Sequence, residues 1–439
     1  MGAGTADAYD VHADAGSASR AQPANIGPAF EAKPIQARDP TSKPALSPQE
    51  RRSVGALAGI YATRMLGLFL LLPVLALYAR ELPDYSPEML GLAMGAYGLT
   101  QALLQIPFGR WSDRYGRKPV IAVGLIFYAV GSLAGALAHS VAALVIARCV
   151  QGAGAVSASV TALLADLTRP EVRTRAMAVV GISIGLSFVA ALVLAPVLDA
   201  AIGVPGIFVV MLVMALAGLA LLFLAVPAEP PRSGGAESRS LADLADLALR
   251  PDLRPLYAGV FALHFIMTAT FIAVPLVLVG DLGMASAGHW KVYLGVFAAS
   301  LAGTIPLILA TERSGRGRML FVAAVLLAGG AQAWMGLDHA RAWVVLTALA
   351  LFFAAFNYLE ARLPALLTQA APGTDRGAAL GVFATAQFLG AFLGGVLGGV
   401  LLGRFGLAGV FLGSSAMALA WAAVAAAGGV GREIAPQST

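Results

Sequence analysis

Apolar runs of roughly 20 residues, recurring between short charged or Pro/Gly breaks, constrain this chain more than any other feature. That length carries a helix across the hydrocarbon of a bilayer. Twelve runs can be read, near 55–79, 88–109, 119–138, 141–165, 174–199 and 205–226, then 255–280, 290–311, 318–337, 342–368, 377–402 and 406–430. The chain is 59% hydrophobic and 12% charged, about half the charge fraction of a soluble domain. Backbone in lipid must satisfy its own hydrogen bonds, so the runs predict an all-α polytopic membrane protein. The expected organisation is a disordered cytoplasmic tail (1–52), a six-helix bundle (53–227) and a linker (228–253). A second six-helix bundle (254–431) and a short cytoplasmic tail (432–439) follow.

The cations alternate from break to break. Arg51, Arg52, Arg110, Arg114, Arg117, Lys118, Arg169, Arg173, Arg175, Arg232, Arg239, Arg250, Arg254, Arg313, Arg316, Arg318 and Arg376 fall in alternate breaks, whereas the intervening ones hold Arg80, Lys291, Arg341 and Arg404. This positive-inside bias places both termini in the cytoplasm. It also accounts for the pI near 9.5 without any nucleic-acid partner. The single cysteine, Cys149, excludes an intramolecular disulfide. Residues 1–50, rich in Ala, Pro, Ser and Asp, read as a disordered tail rather than a signal peptide, and the first span serves as the insertion signal. In the linker, Ser240 to Asp243 looks like a capping box. Leu241, Leu244, Leu247 and Leu249 would then form a short amphipathic helix on the cytoplasmic surface, connecting the halves.

The two halves repeat. Ile106-Pro107 near the end of the second span matches Ile305-Pro306 near the end of the eighth, 199 residues on (107 to 306). Asp113-Arg114 and Gly116-Arg117 match Glu312-Arg313 and Gly315-Arg316, and Ala178 to Gly181 echoes Ala378 to Gly381. Two repeats of one topology put a substrate site at their interface, near the bilayer midplane.

The stretch Gly109 to Lys118 reads G-x-x-x-D-R-x-G-R-K, and Leu144 to Ala155 reads L-x-x-x-R-x-x-Q-G-x-G-A. Leu66-Gly67 precedes Pro73-Val74 in the first span, and the fifth span carries Gly181, Gly185 and Ala195-Pro196. On these residues, over about 53–430, the chain resembles the major facilitator superfamily, and within it the twelve-span drug:proton antiporters. The fifth-span motif departs from that pattern: Ala195 stands for the usual Gly, and Asp199-Ala200 for a Gly pair. More locally, Arg64 to Phe69, His289 to Leu294 and Phe352 to Asn357 are similar to the bacterial YajR-type exporters. Those carry a soluble domain after the last helix, for which a chain ending at Thr439 leaves no room. The resemblance implies a major facilitator fold of twelve helices in two pseudo-repeats. It also implies a cytoplasmic gate, in which the turn bearing Gly109, Asp113, Arg114, Gly116, Arg117 and Lys118 latches the halves and Arg117 meets Asp166. Glu312, Arg313 and Arg316 form the weaker second copy. The simpler reading of this turn is a topological anchor, but four cations alone would serve that purpose without an acid and two glycines.

Charges inside spans are costly unless paired or facing water, which singles out Arg64, Arg148, His264 and Glu360 as proton-coupling candidates. Histidine titrates near neutrality and a carboxyl can carry the proton as well, although a lone His on an apolar helix is often a packed, hydrogen-bonded residue. The plain alternative for Arg148 is a structural pair. Tyr61, Tyr97, Gln101, Gln105, Asn357, Tyr358 and Gln387 are candidate substrate-cavity groups. Such a sparse polar set in an apolar cavity suits a lipophilic cargo, and aromatic faces suit a cationic one. Hydrogen bonding between helices is the simpler role for any one of them. The chain has no G-x-x-x-x-G-K-[ST] loop, no metal-ligand spacing and no nucleophile triad. The expectation is therefore a non-enzymatic, monomeric secondary transporter of a bacterial inner membrane, with the proton as coupling ion and no other cofactor. It exports small lipophilic or drug-like compounds by alternating access. A transporter of one metabolite, such as a sugar or organic acid, is the alternative, and a non-transporting sensor or scaffold is the alternative of another class.

Overall fold

The computed structural model describes residues 45–229 and 241–427 apart from 372 and 374, and every element among them is helical. The first half comprises α1 (Pro48–Leu70), α2 (Leu75–Ala79), α3 (Pro87–Tyr115), α4 (Arg117–Ala136), α5 (Val141–Gly152), α6 (Ser157–Asp166) and α7 (Pro170–Leu224). After the linker helix α8 (Leu241–Leu249) come α9 (Arg254–Gly280), α10 (His289–Ser314), α11 (Gly317–Leu337), α12 (Ala342–Ala370) and α13 (Arg376–Ala427). A short 3₁₀ turn, Ser286–Gly288, leads into α10.

Among the described residues, ten helical stretches are long and apolar enough to cross a membrane. Two of them hold 55 and 52 residues, roughly 80 Å of helix each and far more than one crossing needs. Both are bent at a single non-helical glycine, Gly203 (φ 68°) in α7 and Gly406 (φ 65°) in α13. Each therefore crosses twice, and ten stretches give twelve spans. Positive φ penalises any Cβ, so glycine marks both reversals. Two other runs are interrupted. The first breaks at Leu71 to Val74, around Pro73, and the fourth at Ala153 to Val156.

Several boundaries differ from those read in the sequence. The first helix begins at Pro48, inside the stretch assigned to the tail. Ser47 accepts from the Glu50 amide while the Glu50 carboxylate accepts from the Ser47 amide, a reciprocal cap. The charged stretch after the second span is mostly helix rather than loop, because α3 continues to Tyr115. Gly116 alone is non-helical there (φ 110°, ψ 147°), and α4 starts at the next residue. Only glycine accepts that conformation without strain. In α8 the Leu247 side chain is buried against α9 and α13, whereas Leu249 is exposed. Ser240, Arg232, Arg239 and the outer parts of both tails lie outside the described residues.

The pseudo-repeat shows in the contacts. The Lys118 ammonium donates to the Val226 carbonyl, and the Arg318 guanidinium donates to the Ala426 carbonyl. Donors and acceptors alike stand 200 residues apart (118 to 318, 226 to 426).

Large apolar side chains such as Ile126, Ile182, Leu216 and Phe223 point outward, as lipid-facing surface requires. The buried core runs through both halves, from Leu75, Met94 and Phe188 to Phe271 and Phe353. The halves meet closely where α3 crosses α13, near the α3 end remote from the charged turn. A Cβ on Gly91, Gly95 or Gly98 would stand 2.4–2.6 Å from the carbonyl oxygens of Gly395, Phe392 and Phe388. Such backbone-to-backbone approach is the use of small residues in membrane helices. Phe188 of α7 then sits among rings of the second half, 6.5 Å from Phe271 and Phe297, 6.0 Å from Phe353 and 6.2 Å from Phe356.

Gly95→Leu is expected to destabilise the purified protein by about 1–3 kcal/mol, read as a lowered thermal midpoint, because the backbone opposite cannot yield. Gly181→Ala is expected to leave the midpoint unchanged, since nothing lies within 4 Å of the added carbon.

Candidate functional site

At the Arg-rich end, the Gly116 reversal brings Arg117 back onto the last turn of α3. Its guanidinium donates to Ser112 Oγ (2.9 Å), to Asp166 Oδ2 (3.3 Å) and to Asp113 Oδ1. Arg117 thus ties the α3–α4 junction to the end of α6, wholly within the first half. Lys118 extends the cluster to the end of α7: its backbone amide donates to the Glu229 carboxylate and its Nζ to the Val226 carbonyl (2.8 Å). Arg114 is exposed, with its guanidinium 5.3 Å from the Tyr115 ring centroid. Gly109 lies in α3, where a Cβ would meet Ala158 at 3.9 Å. The second copy is barer. Glu312, Arg313 and Arg316 are exposed, and the Arg316 amide donates to Ser314 Oγ (3.3 Å).

Inside the first half lies a buried polar cluster. Arg64 of α1 donates to Ser157 Oγ (3.0 Å), Tyr97 Oη (2.9 Å) and Gln101 Oε1 (2.6 Å), and Gln101 donates to Gln105 Oε1 (3.0 Å). Arg148 of α5 donates to Gln151 Oε1 (3.1 Å), and its guanidinium carbon lies 4.9 Å from the Tyr97 ring centroid. Gln151 in turn donates to Ser132 Oγ (2.9 Å) on α4. Four helices and α6 thereby converge on two arginines that share one tyrosine. The aromatic face that suited a cationic cargo is already covered by a cation of the chain itself.

The second half holds a separate cluster. His264 of α9 donates from Nδ1 to the Val260 carbonyl (3.1 Å), which leaves Nε2 facing Gln387 Nε2 of α13 (2.7 Å) and Glu360 Oε2 of α12 (3.8 Å). Two residues proposed singly from the sequence are thus neighbours, and Gln387 joins them. Glu360 is the acid among the described residues that lies inside a span and away from both its ends.

The remaining candidates scatter. Asn357 donates to Ser300 Oγ (3.2 Å), and Tyr358 Oη shares a hydrogen bond with Thr311 Oγ1 (2.9 Å), so both link α12 to α10. Tyr61 is the exception: it lies beside the Arg64 cluster, next to Ser157, Arg64 and Tyr97, and packs with the buried Leu57, Phe108 and Val156. Gly181 and Gly185 are exposed on α7, and Pro196 is buried within it. Ser157 and Ser132 were missed because they carry no signal of their own in the sequence: Ser157 accepts from Arg64, and Ser132 accepts from Gln151, the acceptor of Arg148. The i, i+3 spacing of Arg148 and Gln151 was the available signal. Glu50 was also missed: it is buried and accepts from Arg169 Nε (2.9 Å), joining the start of α1 to that of α7. In the linker, Arg250 pairs with Asp252 (2.6 Å) and lies 3.7 Å from Asp375. The Arg250 hydrogen bond holds the Asp252 carboxyl below the usual carboxylate range.

Twelve spans in two repeats define a multi-pass integral membrane protein, and the family it belongs to makes it a transporter rather than an enzyme. The chain belongs to the Major Facilitator Superfamily, whose family profile matches residues 57–360. It is 39% identical over 381 residues to "Inner membrane transport protein YajR" of Escherichia coli K12, covering 87% of this chain and 84% of that protein. It is 32% identical to "Multidrug resistance protein 1" of Bacillus subtilis over 126 residues, 28% of this chain and 32% of that one. A bacterial homologue of the human lysosomal transporter Spinster, solved in an inward-facing and occupied conformation, superposes with a TM-score of 0.70. That match has 15% identity, covers 88% of this chain and 98% of that one, and shows the shared fold.

Tyr97→Phe is expected to cost about 0.5–1.5 kcal/mol of stability, because it removes the acceptor of an Arg64 hydrogen bond and keeps the ring under Arg148. Tyr97→Leu, which removes both, is expected to cost more, and thermal unfolding of the purified variants compares them.

Proposed function

We propose that this chain is a proton-coupled exporter of small lipophilic compounds, acting as a monomer in a bacterial inner membrane by alternating access. The observation that carries the coupling is the His264–Glu360–Gln387 cluster. Neutral His264, with its hydrogen on Nδ1, accepts from the Gln387 amide. Protonation at Nε2 replaces that acceptor with a donor, so the amide must turn its oxygen inward or yield to Glu360. The proton thus alters contacts among α9, α12 and α13 at once, and α13 is the helix that packs on α3 of the other half. A local charge change biasing an interface between two rigid bodies is the requirement for coupled transport.

The Arg117 cluster fits the gate. It braces the charged turn as one rigid piece, and in the present state the halves are packed together at the end of α3 remote from that turn. With the Arg-rich end taken as cytoplasmic, the site would open inward here, and rocking would bring the turn down upon the second half. Export rather than uptake, and drug-like rather than dedicated cargo, are supported by the similarity to the Bacillus subtilis multidrug resistance protein. The inner membrane is the location named for the Escherichia coli relative.

Everted vesicles holding an imposed pH gradient test this reading. An exported compound is expected to dissipate the gradient in wild type. In Glu360→Gln that response is expected to vanish while the protein still inserts, and in Asp113→Asn it is expected to fall at least tenfold. A full response in Glu360→Gln would remove the cluster from the coupling mechanism.

A further inference from the structure

Arg64 and Arg148 bring two positive charges inside one six-helix half, each only 2% exposed. Every hydrogen bond they make goes to a neutral acceptor: Ser157, Tyr97 and Gln101 for Arg64, Gln151 for Arg148. No carboxylate of the described residues lies within 4.0 Å of either guanidinium. The acids of the first half stand at helix ends, in connections or beside the Gly203 bend. A guanidinium carries five N–H donors. Arg148 places one of them, and the Nε of both arginines has no acceptor at all. Uncompensated cations within a span are costly, and a purely structural role would have completed their hydrogen bonding.

Both buried guanidinia keep N–H donors free beside the same ring. Arg64 is held on the Tyr97 hydroxyl and Arg148 on the Tyr97 face, so the two guanidinia are fixed around one ring. A planar fork of donors matches the two oxygens of a carboxylate, phosphate or sulfonate. The Tyr97 ring also lies 6.3 Å from Phe388 of α13, so the pair borders the interface that alternating access would part. We infer that Arg64 and Arg148, mounted on Tyr97, bind an oxyanion, and that the cargo is an amphiphile with an anionic head and an apolar body. This rests on the transporter reading above and supplies the substrate class that reading leaves open.

Three probes with one ring system and different head-group charge test it: 2-naphthoate, its neutral amide, and the (2-naphthylmethyl)trimethylammonium cation. With wild-type protein in phosphatidylcholine nanodiscs, naphthoate is expected to raise the thermal midpoint in a saturable way, and the other two are not. This comparison needs no variant. In Arg148→Gln and Arg64→Gln, checked for monodispersity by gel filtration, the half-saturating concentration is expected to rise roughly ten- to hundredfold through loss of a charged hydrogen bond. Arg148→Lys is expected to recover part of that loss. Unchanged naphthoate binding in both Gln variants, or no binding to wild type, overturns the site. A second arm uses phosphatidylglycerol nanodiscs. If the anionic lipid alone gives the full shift and abolishes the naphthoate response, the oxyanion is a headgroup and the cargo assignment falls. Everted vesicles separate this proposal from proton-coupled export. If the cation or the amide drives proton release and naphthoate neither binds nor does so, the anion site is wrong and export stands. If naphthoate binds through Arg148 yet moves no protons, the anion site stands and proton coupling fails.

Discussion

In hydrocarbon there is no water to satisfy a polar group, and this one constraint orders the whole molecule. Backbone donors and acceptors must pair within each span, so every regular element among the described residues is helical. Ionised side chains are driven to the ends, where arginines collect on alternate connections. The few polar groups kept inside must then find partners across helices. The titratable ones gather in two clusters, one per half, Arg64 and Arg148 around Tyr97 and His264 with Gln387 and Glu360, while Asn357 and Tyr358 bond α12 to α10.

These two clusters differ in chemistry, and the difference gives the halves different work. The first holds cations among neutral acceptors, with no acid in reach. The second sets a histidine beside an acid and an amide that can turn, so it changes contacts with one proton. Between them run the close glycine crossing of α3 with α13 and the aromatic rings around Phe188. Both contacts consist of shape and apolar surface, which separate in lipid without leaving charges unpaired. A seam of this kind suits two bodies that must rock against each other.

Much of the architecture was legible in the chain. Run length and charge alternation indicated the spans, and the offset of about 200 residues indicated the repeat, because both follow from lipid thickness and gene-level duplication rather than from packing detail. The reversals at Gly203 and Gly406 lie within connections too short to break a helical run, so the long helices looked like simple pairs of spans. The Arg117–Asp166 contact could be anticipated because both ends carry opposite charge at the same depth. The acceptors Ser157 and Ser132 could not, since a serine in a span carries no sign of which helix it will face.

The sequence by itself determined that this is a twelve-span membrane protein of the major facilitator type, with a duplicated charged turn and a handful of polar residues at depth. Those are one-dimensional properties, set by how apolar a segment is and where its charges fall. Only the tertiary structure decided which polar residues share a site. Arg64, Tyr97 and Arg148 stand on three different helices, as do His264, Glu360 and Gln387. Partnership across helices depends on the rotation and crossing of each span, and those are decided by packing against neighbours that no local pattern names.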